Sequence, residues 1–175
     1  ILRRSPERAT SLGVSEAQAG GRYIDRVSDV SKEAQRAYRS MLETAVRELS
    51  QIDRNALTSA DAVTLDVVRT SFENSVANSR FEAGGGAGAP YVVTQLTGVY
   101  SSMPDFLSEQ HPLRTREHAE AYIARIESFV GQLDQETNII GEDAGAGVIP
   151  PDFAIDRALE QLNTFVRTAP SQTNL

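Results

Sequence analysis

The chain contains no cysteine. Disulfides and thiolate metal sites are therefore excluded, and the redox compartment stays open. Positive charge is in the minority, with 17 Lys+Arg against 24 Asp+Glu and a formal net charge of -7. Such a surface repels phosphate backbones, and no basic stripe interleaved with aromatics offsets it, so nucleic acid is not an expected partner. No apolar run approaches the roughly 18 residues that suggest a membrane span.

Histidine is nearly absent as well: only His111 and His118 occur. A zincin-type centre needs two histidines at i and i+4 on one helix, with a glutamate beside the first as base. The string Glu117-His118-Ala119-Glu120-Ala121-Tyr122 supplies no second histidine within a turn. His118 reads as a partly exposed histidine at a helix start, and His111, before Pro112, as a loop or interface histidine. The acidic pairs Asp25/Asp29, Glu142/Asp143 and Asp152/Asp156 carry no sign of the burial that would divide acid and base roles. Asp29 and Asp152 suit helix starts, and Glu142-Asp143 reads as a solvated loop.

The glycine runs carry no phosphate-binding signature. Residues 84–88 lack a following Gly-Lys-Ser/Thr, and Gly145-Ala146-Gly147 lacks the strand that a dinucleotide fingerprint requires. No serine lies in a Gly-x-Ser-x-Gly elbow. Catalytic and metal-ligating residues are thus expected to be absent from this chain.

What is present is helical periodicity. The length, 175 residues, suits one domain or one lobe of something larger. Ile1 in place of Met, and the stretch Pro170-Ser171-Gln172-Thr173-Asn174-Leu175, suggest a piece cut at both ends, by processing or by cloning. Ser5 and Pro6 open a short helix near Pro6–Leu12. From Ser31, Ala34, Ala37, Tyr38, Met41, Leu42, Ala45, Val46 and Leu49 recur at spacings of three and four, predicting an amphipathic helix of about five turns. Thr58 with Asp61 caps the next, whose stripe is Leu65, Val68, Phe72 and Val76.

Tyr91–Met103 has strand-type side chains, yet Val92/Val93, Leu96, Val99/Tyr100 and Met103 repeat at helical spacing. A helix opened by Pro90 is expected, weak at Gly98 and broken by Pro104. Thr115 caps the clearest helix, with Ala119, Tyr122, Ile123, Ile126, Phe129, Val130 and Leu133 on its buried face and an end near Ile140. Pro150-Pro151 introduces a last helix with the stripe Ile155, Leu159, Leu162 and Val166. The expected fold is all-α, an irregular bundle of about five to seven helices. It forms a single lobe over residues 1–175, with flexible Gly-rich connections at 84–90 and 141–149.

Read in order, the fragments Ser5-Pro6-Glu7-Arg8-Ala9-Thr10-Ser11-Leu12-Gly13, Asp25-Arg26-Val27-Ser28-Asp29-Val30-Ser31, Gln95-Leu96-Thr97-Gly98, Met103-Pro104-Asp105-Phe106-Leu107, His111-Pro112-Leu113-Arg114-Thr115 and Gly147-Val148-Ile149-Pro150-Pro151 resemble the N-terminal portion of a bacterial family known as domain-of-unknown-function family 885. The resemblance covers most of the chain. It implies a longer, mainly helical, metallopeptidase-like protein whose C-terminal part carries a His-Glu-x-x-His zinc motif, so zinc is expected in that missing region and not here. It further implies a C-terminal lobe as partner, in cis or as a separate chain, a peptide as possible substrate, and an exported location. This chain then supplies a non-catalytic lobe shaping the substrate groove, with Tyr91, Gln95 and Tyr100 as candidate groove-lining residues. The alternative is a stand-alone helical module that binds a peptide or partner helix through an apolar groove.

Overall fold

The computed structural model describes residues 1–84 and 89–173. Among the described residues seven α-helices follow one another: α1 (Pro6–Leu12), α2 (Glu16–Ala19), α3 (Lys32–Leu49), α4 (Ser59–Asn78), α5 (Val99–Glu109), α6 (Arg116–Gly145) and α7 (Asp152–Arg167). Among the described residues the only β-type pairing is an isolated bridge between Thr94 and Thr97. The fold is all-α, as the periodicity predicts. The chain divides into two compact units, Lys32–Pro90 and the remainder, a division that helical periodicity alone does not reveal.

In the Lys32–Pro90 unit, α3 packs along α4, and the buried side chains are Leu42, Ala62 and Leu65. The Thr58 hydroxyl accepts the Asp61 amide at 3.2 Å, which fixes where α4 begins. A 3₁₀ turn at Arg54–Ala56 precedes it, and Arg54 holds Asp66 with a 2.8 Å ion pair. Of the first Gly-rich connection, residues 85–88 lie outside the described residues.

The other unit is built on α6, which at 30 residues is about 45 Å long. Thr115 starts it by accepting the His118 amide at 3.2 Å. Its expected end near Ile140 is wrong: α6 continues to Gly145, and the expected Gly-rich connection shrinks to the residues after it. Gly141 and Gly145 have open space where a side chain would stand, so neither marks a tight turn. Gly147, in the left-handed region at φ 82°, marks the turn, closed by the Val148 amide on the Asp143 carbonyl at 2.8 Å.

Tyr91–Met103 also departs from the expected helix. Thr94 and Thr97 exchange backbone hydrogen bonds at 3.2 and 3.4 Å, and α5 begins only at Val99. Gly98 sits at φ 118° with Val93 and Tyr100 about it, a conformation that no helix interior accepts. Pro104 does not break α5 but lies inside it. Lacking an N–H, it costs the helix one bond, to the Tyr100 carbonyl, and the buried Val99, Met103, Phe106 and Leu107 hold the helix together. These pack with Phe129 of α6, and Val27, Val30, Tyr122, Ile126 and Leu133 border the cluster.

The buried face of α6 is not the apolar stripe that the sequence suggests. Ile123 and Val130 are both 58% exposed, and Ala119 is exposed as well. The buried residues run Ala121, Arg125, Phe129, Gln132, Glu136, Ile139 and Asp143. Four of these seven are polar or charged, and two of them, Arg125 and Gln132, face an irregular, non-helical segment, residues 23–31, whose backbone has no sheet partner. Side chains of α6 take that place. Arg125 donates to the carbonyls of Tyr23 and Arg26 at 3.1 and 2.9 Å, and Gln132 donates to the Ser28 carbonyl at 2.8 Å. Gln135 accepts the Val30 amide at 3.0 Å. From α1, Glu7 accepts the Ser28 amide at 2.8 Å and also its hydroxyl. A buried backbone group must find a partner, and here the partners are side chains.

Candidate functional site

The three candidate groove residues fall in two neighbouring places. Tyr91 lines an apolar pocket of about 330 Å³. Its walls are Val92 and Val93, Ile140 and Ala144 near the end of α6, the turn Val148-Ile149-Pro150, and Ile155, Ala158, Leu159 and Leu162 of α7. Asp143 is the one charged residue in the wall. It is buried near the end of α6, so the expected solvated-loop reading of Glu142-Asp143 fails for Asp143. Ile155, Leu159 and Leu162 were expected as the buried stripe of α7; instead the helix buries Ala154 and Ala158. Leu159 is 50% and Ile149 61% exposed at the pocket.

Tyr100 and Gln95 belong to a polar link beside it. The Tyr100 hydroxyl lies 2.8 Å from the Thr94 carbonyl and 2.6 Å from Gln161 Oε1. Gln161 Nε2 donates to the Gln95 carbonyl at 3.3 Å. Gln95 thus enters through its backbone, and its buried side-chain Oε1 has no hydrogen-bond partner. The structure joins Gln95 and Tyr100 through Gln161, a residue the sequence does not single out, and places Tyr91 in the apolar pocket. Desolvation, with Glu136 nearby, pushes the Tyr100 phenol up from its ordinary range.

Glu136 is the buried carboxylate of this region. Both its oxygens accept the Val99 amide, at 3.1 and 2.9 Å. It therefore caps α5 where Gly98, the preceding residue, has no side chain to do so. Burial pushes its carboxyl above the ordinary range, against the opposing effect of the Val99 hydrogen bond. A perturbed carboxylate in a cleft is one mark of a functional acid, but here the capping geometry accounts for it.

The two histidines do meet. His111 lies in the loop between α5 and α6, as expected, and is buried there. Its Nδ1 lies 2.8 Å from Arg125 Nη1 and its Nε2 lies 2.9 Å from the His118 carbonyl. Arginine can only donate, so Nδ1 accepts and Nε2 carries the proton. Tyr122 stacks edge-on to the imidazole, with centroids 5.4 Å apart. Arg125 is 0% exposed; it also donates to the Thr10 hydroxyl at 2.7 Å and lies 4.9 Å over the Phe106 ring. Desolvation lowers its pKa to about 10, against the pull of Glu7 and Asp25. His118 stays at the helix start, its Nδ1 accepting the Arg114 amide at 3.3 Å.

The other acids fall where the sequence suggests. Asp29 Oδ1 accepts the Ser31 amide at 3.0 Å, just ahead of α3. Asp152 is the first residue of α7. Among the described residues no three His, Asp or Glu side chains converge as a metal ion would require. Also among the described residues, no helix is long and apolar enough to cross a membrane.

A family model described as "Bacterial protein of unknown function (DUF885)" matches residues 6–175. No curated protein matches the chain. A crystal structure described as that of "the putative lipoprotein from Colwellia psychrerythraea" superposes on it with a TM-score of 0.86 at 18% sequence identity, covering 99% of this chain. This chain spans 32% of that protein's length.

Proposed function

We propose, since the chain belongs to the DUF885 family of bacterial proteins, that it is a non-catalytic helical lobe of a longer zinc-peptidase-like protein. The observation that carries this reading is the apolar pocket with its half-exposed rim. Leu159 of α7 and Ile149 of the preceding turn line it and are 50% and 61% exposed, and Phe153, also on α7, is 68% exposed. Covering each such side chain is worth on the order of 1 kcal/mol, enough in sum to hold a second lobe in place. The ratio of lengths supports the same reading, because the Colwellia protein leaves two-thirds of its chain beyond the shared fold.

On this reading the remainder of the longer protein packs an apolar segment into the pocket. The lobe contributes shape and access to the peptide groove, with Tyr91, Gln95 and Tyr100 at its edge. Zinc and the hydrolytic water belong to the other lobe, where a bound metal supplies an activated nucleophile. The test is made in the longer protein. Leu159→Asp should weaken lobe association and lower peptide hydrolysis while zinc content stays stoichiometric. A longer protein without zinc or peptidase activity sinks the peptidase reading. Unchanged lobe association in the variant sinks the docking reading and favours the stand-alone peptide-binding module.

A further inference from the structure

The pairing of His111 with Arg125 carries a consequence independent of the α7 pocket. His111 is 6% and Arg125 0% exposed, and Nδ1 and Nη1 stand 2.8 Å apart. The arrangement requires a neutral imidazole, because protonating Nδ1 removes the acceptor and sets two cations face to face without solvent between them.

The surrounding charges do not relieve this. His118, the other titratable histidine, offers its carbonyl to Nε2, and its imidazole adds to the unfavourable field. Tyr122 presents a ring. Glu7 and Asp25 act on Arg125, but their hydrogen bonds go elsewhere: Glu7 to Ser28, and Asp25 to Arg22 at 2.7 Å. Arg125 holds four acceptors in all. Besides His111 these are the Thr10 hydroxyl on α1 and the carbonyls of Tyr23 and Arg26. Every one of those three lies in residues 1–31.

We propose that His111 and Arg125 form an acid-sensitive clasp, closed while His111 is neutral, whose opening on protonation releases residues 1–31 from α6. Desolvation and Arg125 hold the imidazole pKa below its ordinary value. The stabilisation is complete above the unfolded value near 6.5 and is lost as pH falls toward the lower folded value. Asp25 and Asp29 have carboxyls held below their ordinary range by Arg22 and Ser31 respectively, so they titrate in a more acidic window. Glu136, pushed up by burial, works in the opposite direction.

The test is hydrogen exchange of the full chain between about pH 8 and about pH 5, expressed as protection factors, with the His111 Cε1 proton followed by NMR. The proposal expects His111 to titrate below the ordinary histidine value. It also expects the Ser28 and Val30 amides to lose protection in step with it, before α5 and α6 do. His111→Gln retains an acceptor for Arg125 and does not titrate, so its protection should be flat over the same range. Protection of residues 1–31 that is lost equally in His111→Gln overturns the proposal. So does a wild-type His111 that becomes protonated while residues 1–31 stay protected. Should the variant not fold, the wild-type NMR and exchange curves decide the matter alone.

Discussion

Arg125 Nη1 lies 2.8 Å from His111 Nδ1, inside a site where the guanidinium is fully buried and no carboxylate bonds it directly. The charge is instead distributed over neutral acceptors of residues 1–31 and over the Phe106 ring. Arg125→Met should therefore destabilise the chain by about 2–4 kcal/mol, because several acceptors are left buried and unpaired. Arg125→Lys keeps the charge but not the planar fork and should recover only part of that loss. Urea unfolding of the two variants measures both.

Glu136 predicts an unusual pH response. Its folded pKa is raised by burial, so the folded state binds its proton before the unfolded state does. Its contribution is fully present below the ordinary carboxylate value and is lost as pH rises through the folded value. Relative to Glu136→Gln, the wild type should gain stability as pH falls through that window. Glu136→Ala should cost about 1–3 kcal/mol at low pH, since the Val99 amide is orphaned, and less as pH rises through the folded value. Thermal melts of the three proteins across pH give the comparison.

Gly98 permits the turn that precedes α5. Its φ is 118°, and an added Cβ would stand 3.0 Å from the Tyr100 ring and 3.2 Å from Val93. Gly98→Ala should cost about 1–3 kcal/mol through backbone strain. The loss should come with early exchange of the Val99 amide, which hydrogen-exchange spectra of the variant would register.

Gln132 predicts a local effect. Its Nε2 donates to the Ser28 carbonyl at 2.8 Å, while its Oε1 has no partner. Gln132→Leu should cost about 1 kcal/mol, because the lost bond is partly offset by removing a buried unpaired oxygen. Exchange should rise at residues 23–31 and not at α7.

Two long-helix starts were legible from a side chain that caps its own helix: Thr58 and Thr115 accept the amides of Asp61 and His118, and the range Pro6–Leu12 is observed as expected. The short α2 was missed although Ser15 and Gln18 form a capping box, a Ser-x-x-Gln signal present in the sequence. The face of α6 was not legible. Periodicity marks apolar stripes, whereas Arg125, Gln132 and Glu136 are buried against backbone groups distant in sequence. The start of α5 was misplaced for a related reason: Val92/Val93, Leu96, Val99/Tyr100 and Met103 fit the helical period, but the β-branched Val92, Val93, Thr94 and Thr97 and Gly98 favour the turn. Neither spacing nor composition announced Gln161, which links Tyr100 to Gln95.

The proposed role of this lobe rests on the apolar rim of α7, and hydrogen exchange across residues 149–166 tests it most directly. It is measured in the 175-residue chain and in a longer family protein that contains it. The account predicts rapid exchange in the chain alone and strong protection in the longer protein, abolished by Leu159→Asp. Equal exchange in both would contradict it.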